Sequence, residues 1–178
     1  MKKVVKFGGS SLASASQFEK VGAIIRGDES RRYVVPSAPG KRFSGDTKVT
    51  DLLYACYRSV GDEEKFQKIL NEIKERYQEI IDGLHLSLSL EEDFSLVEEN
   101  FKKQIGEEYA ASRGEYLNGK IMAAYLGFTF VDPAEMIRFD GNGQFDGEIT
   151  EKLVAKKLGS LECAVVPGFY GAKEDGTI

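Results

Sequence analysis

A lysine followed by two glycines stands near the N-terminus, in the segment KFGGSS (6–11). The residues before the glycines, 2–7, have the pattern of a short strand, and a helical pattern begins at Ala15. Glycines at such a turn leave backbone N–H groups free to face an anion, and a helix N-terminus adds partial positive charge. Together with the charge of Lys6, the segment predicts a phosphate-binding loop. A plain turn with a surface lysine explains the pattern equally well.

A second polar segment, SAPGKRFSGDTKVTDLL (37–53), follows the second predicted strand. Ser37 lies where open α/β sheets place their ligands, just beyond the carboxyl end of a strand. Asp46 or Thr47 is predicted to cap the next helix, and Thr50 falls in the first turn of that helix. Capping explains Asp46 and Thr47, whereas Ser37 and Thr50 remain open as ligand-binding candidates.

Two further segments carry candidate residues. SRGEYLNGKIMAAYLG (112–127) places Glu115 at the predicted start of a helix, where the macrodipole favours a glutamate without any function. VVPGFYGAKEDGTI (165–178) is a strand that enters a glycine loop. This last segment predicts either a second backbone anion site or a simple turn.

The elements that position these segments alternate between strand and helix. The strands are predicted at 2–7, 32–35, 128–131, 137–139 and 164–166, and the helices at 15–26, 48–59, 62–82, 91–110, 114–126 and 149–158. A strand, a glycine turn, a helix and a strand open the chain, which predicts an α/β fold with a parallel sheet. The length of 178 residues suits one domain, with the segment 62–110 as a helical insertion.

Composition excludes several classes of function. With 24 Lys+Arg against 29 Asp+Glu, the net charge of −5 argues against nucleic acid or an anionic membrane as the main partner. No apolar run approaches the ~20 residues that span a bilayer, and no signal peptide is recognised, so a cytoplasmic location is predicted. Cys56 and Cys163 are predicted to be buried, reduced thiols. His85, the only histidine, is predicted to lie at the surface, and it leaves too few ligands for a zinc site.

Taken in this order, the four segments resemble the aspartate kinases of the amino-acid kinase superfamily over essentially the whole chain. KFGGSS also occurs in variant forms in acetylglutamate and uridylate kinases, whereas VTDLL together with VPGFYGA favours the aspartate branch. The resemblance implies a three-layer αβα fold with a mainly parallel sheet. It also implies transfer of the γ-phosphoryl group of ATP, with Mg²⁺, to the side-chain carboxylate of L-aspartate, the first step toward lysine, threonine and methionine.

The resemblance further implies which residues form the site. Lys6 would neutralise charge on the transferring phosphoryl group, and Glu115 would face the α-ammonium group of aspartate. The nucleotide-binding residues would be Lys6, Phe7, Gly8, Gly9, Ser10 and Ser37, and the substrate-binding residues Thr50, Glu115, Gly168 and Phe169. The acceptor carboxylate is already ionised at pH 7, so alignment and charge stabilisation suffice without a general base.

The sequence departs from the family pattern after DGTI (175–178). A segment of the type TTLGRGGSD, the elements that seat the adenine and the paired regulatory ACT domains do not follow, and no metal ligands are recognised. The fold is therefore expected to be incomplete at its C-terminus, and the isolated chain to have little or no kinase activity. A homo-oligomer or a completing C-terminal chain is the expected partner. Two alternatives stay open: a non-catalytic ligand-binding or interaction module of the same fold, and another amino-acid kinase with a different acceptor.

Overall fold

The computed structural model describes residues 2–178, which alternate between strands and helices along the chain. The elements are β1 (Lys3–Phe7), α1 (Ala15–Arg26), β2 (Arg31–Pro36), α2 (Val49–Arg58), α3 (Glu63–Gly83), α4 (Glu91–Lys102), α5 (Glu107–Leu126), β3 (Thr129–Phe130), β4 (Arg138–Phe139), α6 (Gly147–Leu158), β5 (Ala164–Val165) and β6 (Ala172–Lys173). Short 3₁₀ helices, Gly9–Leu12 and Pro133–Glu135, lie between these elements.

Four strands in the described part of the chain form one parallel sheet, in the order β1-β2-β5-β3. The pairing of β1 with β2 runs in register from Val4 opposite Tyr33 to Phe7 opposite Pro36. The predicted βαβ opening and mainly parallel sheet are thereby confirmed. A separate parallel pair, β4 with β6, lies outside this sheet, and its strand β6 was not predicted because it falls within the glycine-rich loop.

The two faces of the sheet carry two separate cores. Neighbouring strand residues point to opposite faces, and Val34 and Val165 join a large core with α1 to α5. Tyr33 and Ala164, each one position earlier, belong to a smaller core to which α6 contributes Leu153. The sheet therefore lies between two helical layers, as the three-layer prediction requires.

The central helix α5 corrects one predicted boundary. The sequence predicted one helix over 91–110 and another from Gly114, but the structure ends α4 at Lys102 and begins α5 at Glu107. Gln104 and Gly106 have φ angles of 54° and 143°, which end the first helix. Every residue from Tyr109 to Glu115 is buried, so the start of α5 lacks the polar face by which an amphipathic helix is recognised.

The helices α3 and α4 cover the segment that was predicted as an insertion. Asp62 caps α3 by accepting a hydrogen bond from the Lys65 amide at 3.1 Å, and α3 buries Phe66 and Leu70 in the large core. Each such side chain contributes about 1.5–3 kcal/mol on burial. That these helices are an insertion stays a prediction, but they share one core with the rest of the domain.

The remaining sequence expectations are partly met. Cys56 is buried, and burial raises the pKa of its thiol to about 12. Cys163 is only half-buried, because it lies at a strand end where its sulfur accepts a hydrogen bond from Arg32 at 3.3 Å, so its predicted burial was wrong. His85 is exposed at a φ of 54°. Between residues 2 and 178, no helix has the length and apolar character needed to cross a bilayer.

Candidate active site

A cleft of 460 Å³ opens at the carboxyl ends of β1 and β2. Parallel neighbouring strands end at the same edge of a sheet, so the loops that follow them lie side by side. Five of the predicted site residues meet here, although their sequence positions are far apart. The cleft is lined by Gly9, Ser10, Ser37, Ala38, Pro39, Gly40, Lys41, Lys48, Thr50 and Glu115.

Two glycines allow the loops after β1 and β2 to touch through their backbones. The Gly40 amide donates a hydrogen bond to the Gly9 carbonyl at 2.8 Å. A Cβ at Gly9 would lie 2.8 Å from the Ala38 carbonyl oxygen, and a Cβ at Gly40 would lie 2.6 Å from the Gly9 carbonyl carbon. Close approach, rather than a left-handed backbone, is the reason for glycine at both positions.

Glu115 enters the cleft from the interior of α5. It is 8% exposed, and within residues 2–178 its Oε2 atom has no hydrogen-bond partner. Burial raises the pKa of Glu115, while the Ala38 backbone amide and the charge of Lys6 act in the opposite direction. The predicted position in the first turn of a helix was wrong, because α5 begins earlier, at Glu107. The helix macrodipole at an N-terminus therefore does not account for this carboxyl group.

Lys6 and Thr50 both lie near Glu115, the first through the effect of its charge and the second as a lining residue of the same cleft. Lys6 is exposed on β1, and its charge acts on the Glu115 carboxyl group. Thr50 is half-buried in the first turn of α2, where its Oγ1 atom lies 3.8 Å from the position of a Cβ at Gly114. Lys41 and Lys48 add two further cations to the rim of the cleft. The cleft thus combines one buried carboxyl group with several exposed positive charges.

Phe7 and Gly8 lie at the entrance to the same loop. Phe7 is half-buried, packs against the large core and accepts a hydrogen bond through its carbonyl from the Ser37 amide at 3.1 Å. Gly8 is exposed, and a Cβ there would meet nothing within 4 Å. Of these two residues, Phe7 fixes the loop and Gly8 leaves its backbone open to solvent.

Asp46 and Thr47 do not cap α2, contrary to the sequence prediction. The residue at the N-cap position is Lys48, which makes no side-chain capping bond. Asp46 is held instead by the Arg42 backbone amide and guanidinium, at 2.9 Å each, and by Arg76 at 3.1 Å. Hydrogen bonding from Arg42 holds the pKa of Asp46 well below its usual range. The loop is thereby held by a partly exposed ion pair with Arg42 and a buried one with Arg76.

Sequence reasoning missed three buried polar residues behind the cleft. Arg76 donates to the carbonyls of Gly40 and Thr47, at 2.9 and 3.0 Å. The amide of Asn118 donates to the Ser37 carbonyl at 2.6 Å, and the Tyr77 hydroxyl donates to the Gly114 carbonyl at 2.8 Å. A usable signal existed for Arg76, because it lies within the apolar stripe of α3, three residues after Ile73.

Gly168 and Phe169 lie on the loop after β5, and neither lines the cleft that contains Glu115. The Gly168 amide donates to the Pro36 carbonyl at 3.3 Å, which places Gly168 beside the end of β2. Phe169 has a φ of 80° and is 68% exposed. Its ring lines a different cleft, of 510 Å³, together with Tyr54 and Tyr170. The structure therefore does not bring Phe169 into the Glu115 cleft, and its role at the substrate rim stays a prediction.

The described residues offer no ready-made metal centre. Across residues 2–178 there is no group of three or more His, Cys, Asp or Glu side chains placed to hold a metal ion. Mg²⁺ in phosphoryl-transfer sites is usually bound by one or two carboxylates and by the substrate phosphates. Within the cleft, Glu115 is the carboxylate among the lining residues.

The fold and the cleft define the class of protein. The chain belongs to the amino acid kinase family, whose sequence model matches residues 1–178. Aspartokinase 3 of Bacillus subtilis (strain 168) is 37% identical to it over an alignment 194 positions long, which covers 99% of this chain and 42% of that protein.

Solved structures agree with this assignment. The crystal structure of the Clostridium acetobutylicum aspartate kinase matches with a TM-score of 0.94 and 45% identity, over 99% of this chain and 41% of that one. Escherichia coli aspartokinase III in complex with aspartate and ADP has the same fold, with a TM-score of 0.81 and 20% identity over 99% of this chain and 42% of that one. The chain thus spans about two fifths of the length of these relatives.

Proposed function

We propose that this chain forms the acceptor-binding and phosphate-facing part of an aspartate kinase, which transfers the γ-phosphoryl group of ATP to the side-chain carboxylate of L-aspartate. The unpaired Oε2 atom of Glu115, buried in the cleft beside the Gly9 loop, is the observation that carries the proposal. Further support comes from the two relatives at 37% and 45% identity, which are named as an aspartokinase and an aspartate kinase.

Glu115 provides the site for the amino end of the substrate. A buried carboxylate oxygen without a partner is unfavourable, and an ammonium group that pairs with it removes that cost and forms a charge-assisted hydrogen bond. The two carboxylates of aspartate need positive charge, which Lys41 and Lys48 supply at the rim of the cleft. The arrangement therefore selects a small molecule with one cationic and two anionic groups.

Lys6 and the backbone of the Gly9 loop provide the site for the phosphoryl group. The exposed loop residues Gly8 and Ser10, together with the exposed Lys6 ammonium group, suit an oxyanion that gains charge during transfer. Mg²⁺, when it enters with the nucleotide, supplies further charge neutralisation on the phosphate oxygens. The acceptor carboxylate is ionised at neutral pH, so this chain needs to orient it rather than activate it.

Calorimetric titration of the chain with L-aspartate tests the proposal. We expect Glu115→Gln to weaken binding about tenfold or more, because the charge that pairs with the ammonium group is lost. Succinate, which lacks the ammonium group, is expected to bind Glu115→Gln no more weakly than the wild-type chain, because it gains nothing from the Glu115 charge. Glu108→Gln is the matched control, since Glu108 lies on the same helix but lines the other cleft. Equal affinity of Glu115→Gln and the wild type for L-aspartate would contradict the proposal.

The activity of the isolated chain needs a separate measurement. The expectation of little or no turnover stays a prediction, which a coupled ADP-release assay on residues 1–178 measures directly. Robust aspartate-dependent ADP release would refute that expectation and leave the binding proposal intact. Turnover with another carboxylate acceptor in place of aspartate would instead favour a different amino-acid kinase.

A further inference from the structure

Arg76 is a buried charged side chain in α3 that faces the loop between β2 and α2. Its side chain is 3% exposed, and its guanidinium contacts three points of that loop. Nη2 donates to the Gly40 carbonyl at 2.9 Å, Nη1 donates to the Thr47 carbonyl at 3.0 Å, and Nη1 lies 3.1 Å from Asp46 Oδ2. One side chain from a neighbouring helix thus joins both ends of the loop.

Gly40, whose carbonyl accepts a hydrogen bond from Arg76, also contacts the loop that follows β1. The Gly40 amide bonds to the Gly9 carbonyl, and the two backbones approach too closely to admit a Cβ at either glycine. A continuous series of contacts therefore runs from Arg76 through Gly40 to Gly9, from the buried helix to the cleft. Displacement of Gly40 changes the position of both loops at once.

Stability alone does not account for an arginine at this position. Burial lowers the pKa of Arg76, and repulsion from Arg42 lowers it further, against the attraction of Asp46. Its Nε atom is buried without a partner in the part of the chain that the structure describes. The neighbouring positions on the same stripe are Ile73, Tyr77 and Ile80. In other proteins, replacing both members of a buried ion pair by apolar side chains is often neutral or stabilising, so the pair by itself is weak evidence for a purely stabilising role.

We propose that Arg76 is a positioning residue, which fixes Gly40 and Thr47 so that the Gly40–Gly9 contact sets the width of the cleft. Lysine does not replace it, because a single ammonium group cannot span acceptors that a planar guanidinium fork reaches in fixed directions. The inference rests on the proposed function only where it states that this cleft binds the substrates.

Amide hydrogen exchange tests the positioning role without any ligand. In Arg76→Met, we expect the Gly40 amide to exchange about tenfold faster or more, because its loop opens locally. The amide of Val166, which donates to the Val34 carbonyl in the sheet, is the reference and is expected to be unchanged. In Arg76→Lys, the exchange rate of the Gly40 amide is expected to be closer to the rate in Arg76→Met than to the rate in the wild type. Unchanged exchange at Gly40, or an equal increase at Gly40 and Val166, overturns the proposal.

A control variant and a wild-type measurement complete the test. Lys74→Met alters the same helix, where Lys74 lies near Glu91 and the ring of Phe94 and away from the loop. This variant is expected to leave the exchange rate of the Gly40 amide unchanged. If Arg76→Met does not fold, the nuclear magnetic resonance signals of the Arg76 guanidinium in the wild type decide. Separate, slowly exchanging Nη hydrogens are expected, and a single averaged signal overturns the proposal.

Titration with Mg·ADP and with L-aspartate then separates the two proposals. We expect Arg76→Met to weaken the binding of at least one of these ligands about tenfold. Unchanged affinity for both, in a variant whose Gly40 amide exchanges faster, overturns the link between Arg76 and the cleft. If the wild-type chain binds neither ligand, the proposed function fails, whereas the exchange experiment still decides whether Arg76 holds the loop.

Discussion

The backbones of Gly9 and Gly40 are in direct contact, joined by a hydrogen bond of 2.8 Å from the Gly40 amide to the Gly9 carbonyl. These residues follow β1 and β2, which are adjacent parallel strands. The contact closes the gap between the two loops and forms the floor of the cleft that contains Glu115. The loop that follows Lys6 and the Glu115 carboxyl group therefore line one cleft only because the backbones of Gly9 and Gly40 approach closely.

Gly40→Ala is expected to destabilise the chain by about 2 kcal/mol, because the new methyl group would overlap the backbone of Gly9 and Ser10. Urea denaturation, followed by circular dichroism, measures the free energy of unfolding. The matched control is Gly8→Ala, where a Cβ meets nothing within 4 Å, and its effect is expected to stay within about 0.5 kcal/mol. Equal destabilisation by both variants would show that close approach is not the constraint.

Glu115→Gln is expected to stabilise the free chain at neutral pH by about 1 kcal/mol, because it removes a desolvated charge. Burial raises the pKa of Glu115 in the folded state. The protonated form is therefore favoured by folding, and its contribution to stability is lost as the pH rises through the folded-state pKa. The advantage of Glu115→Gln should accordingly grow from about pH 4 to pH 7.

Thermal unfolding of the wild type and of Glu115→Gln across this pH range measures the effect. Glu108→Gln serves as the control, since Glu108 is an exposed residue in the first turn of the same helix. A stability difference between wild type and Glu115→Gln that does not depend on pH would contradict the assignment of a buried, titrating carboxyl group.

Asp46→Asn is expected to destabilise the chain by about 3 kcal/mol, because it leaves the buried Arg76 guanidinium without its counter-charge. The folded-state pKa of Asp46 is lowered, so its stabilising effect is present at neutral pH and is lost as the pH falls below its unfolded value. Urea denaturation should therefore show a smaller difference in the free energy of unfolding between Asp46→Asn and the wild type at acidic pH than at neutral pH.

An exposed ion pair provides the comparison for Asp46. Arg58 and Glu107 are joined at 2.7 Å on the surface, and Glu107→Gln is expected to cost far less than Asp46→Asn, because water screens an exposed pair. Comparable losses in Asp46→Asn and Glu107→Gln would be incompatible with a special role for the buried pair.

Tyr77→Phe is expected to cost about 1 kcal/mol, because the buried Gly114 carbonyl loses the hydrogen bond that it accepts at 2.8 Å. Calorimetric unfolding measures the loss. The half-buried Tyr54 on α2 offers a control, Tyr54→Phe, for removing a hydroxyl group that is not fully buried. A Tyr77→Phe variant as stable as the wild type would contradict a contribution from this bond.

The sequence was sufficient to predict helices and strands where local residue patterns determine them. The helix over 15–26 and the strands on either side of it follow from apolar spacing and from glycine and proline signals, and the structure has α1 and β2 there. The start of α5 was missed, because a helix buried on all sides has no periodicity to read. In that case tertiary packing, rather than local preference, decided the boundary.

The site was predictable in its glycines and acidic residue but not in its supporting contacts. Asp46 has the sequence signature of a helix cap. In the structure, it forms a buried ion pair with Arg76, thirty residues further along the chain. Asn118 reaches the Ser37 carbonyl across 81 positions. Contacts of this kind depend on the fold as a whole, and a single sequence contains no local signal for them.

Lys6 lies on β1, the outermost strand of the described sheet, whereas Glu115 lies in the most deeply buried helix. The first is hydrogen-bonded along only one side of its strand, and the second is surrounded by close-packed atoms. The carboxyl group of the cleft thus lies in packed protein, and the ammonium group of Lys6 lies at an open edge of the sheet.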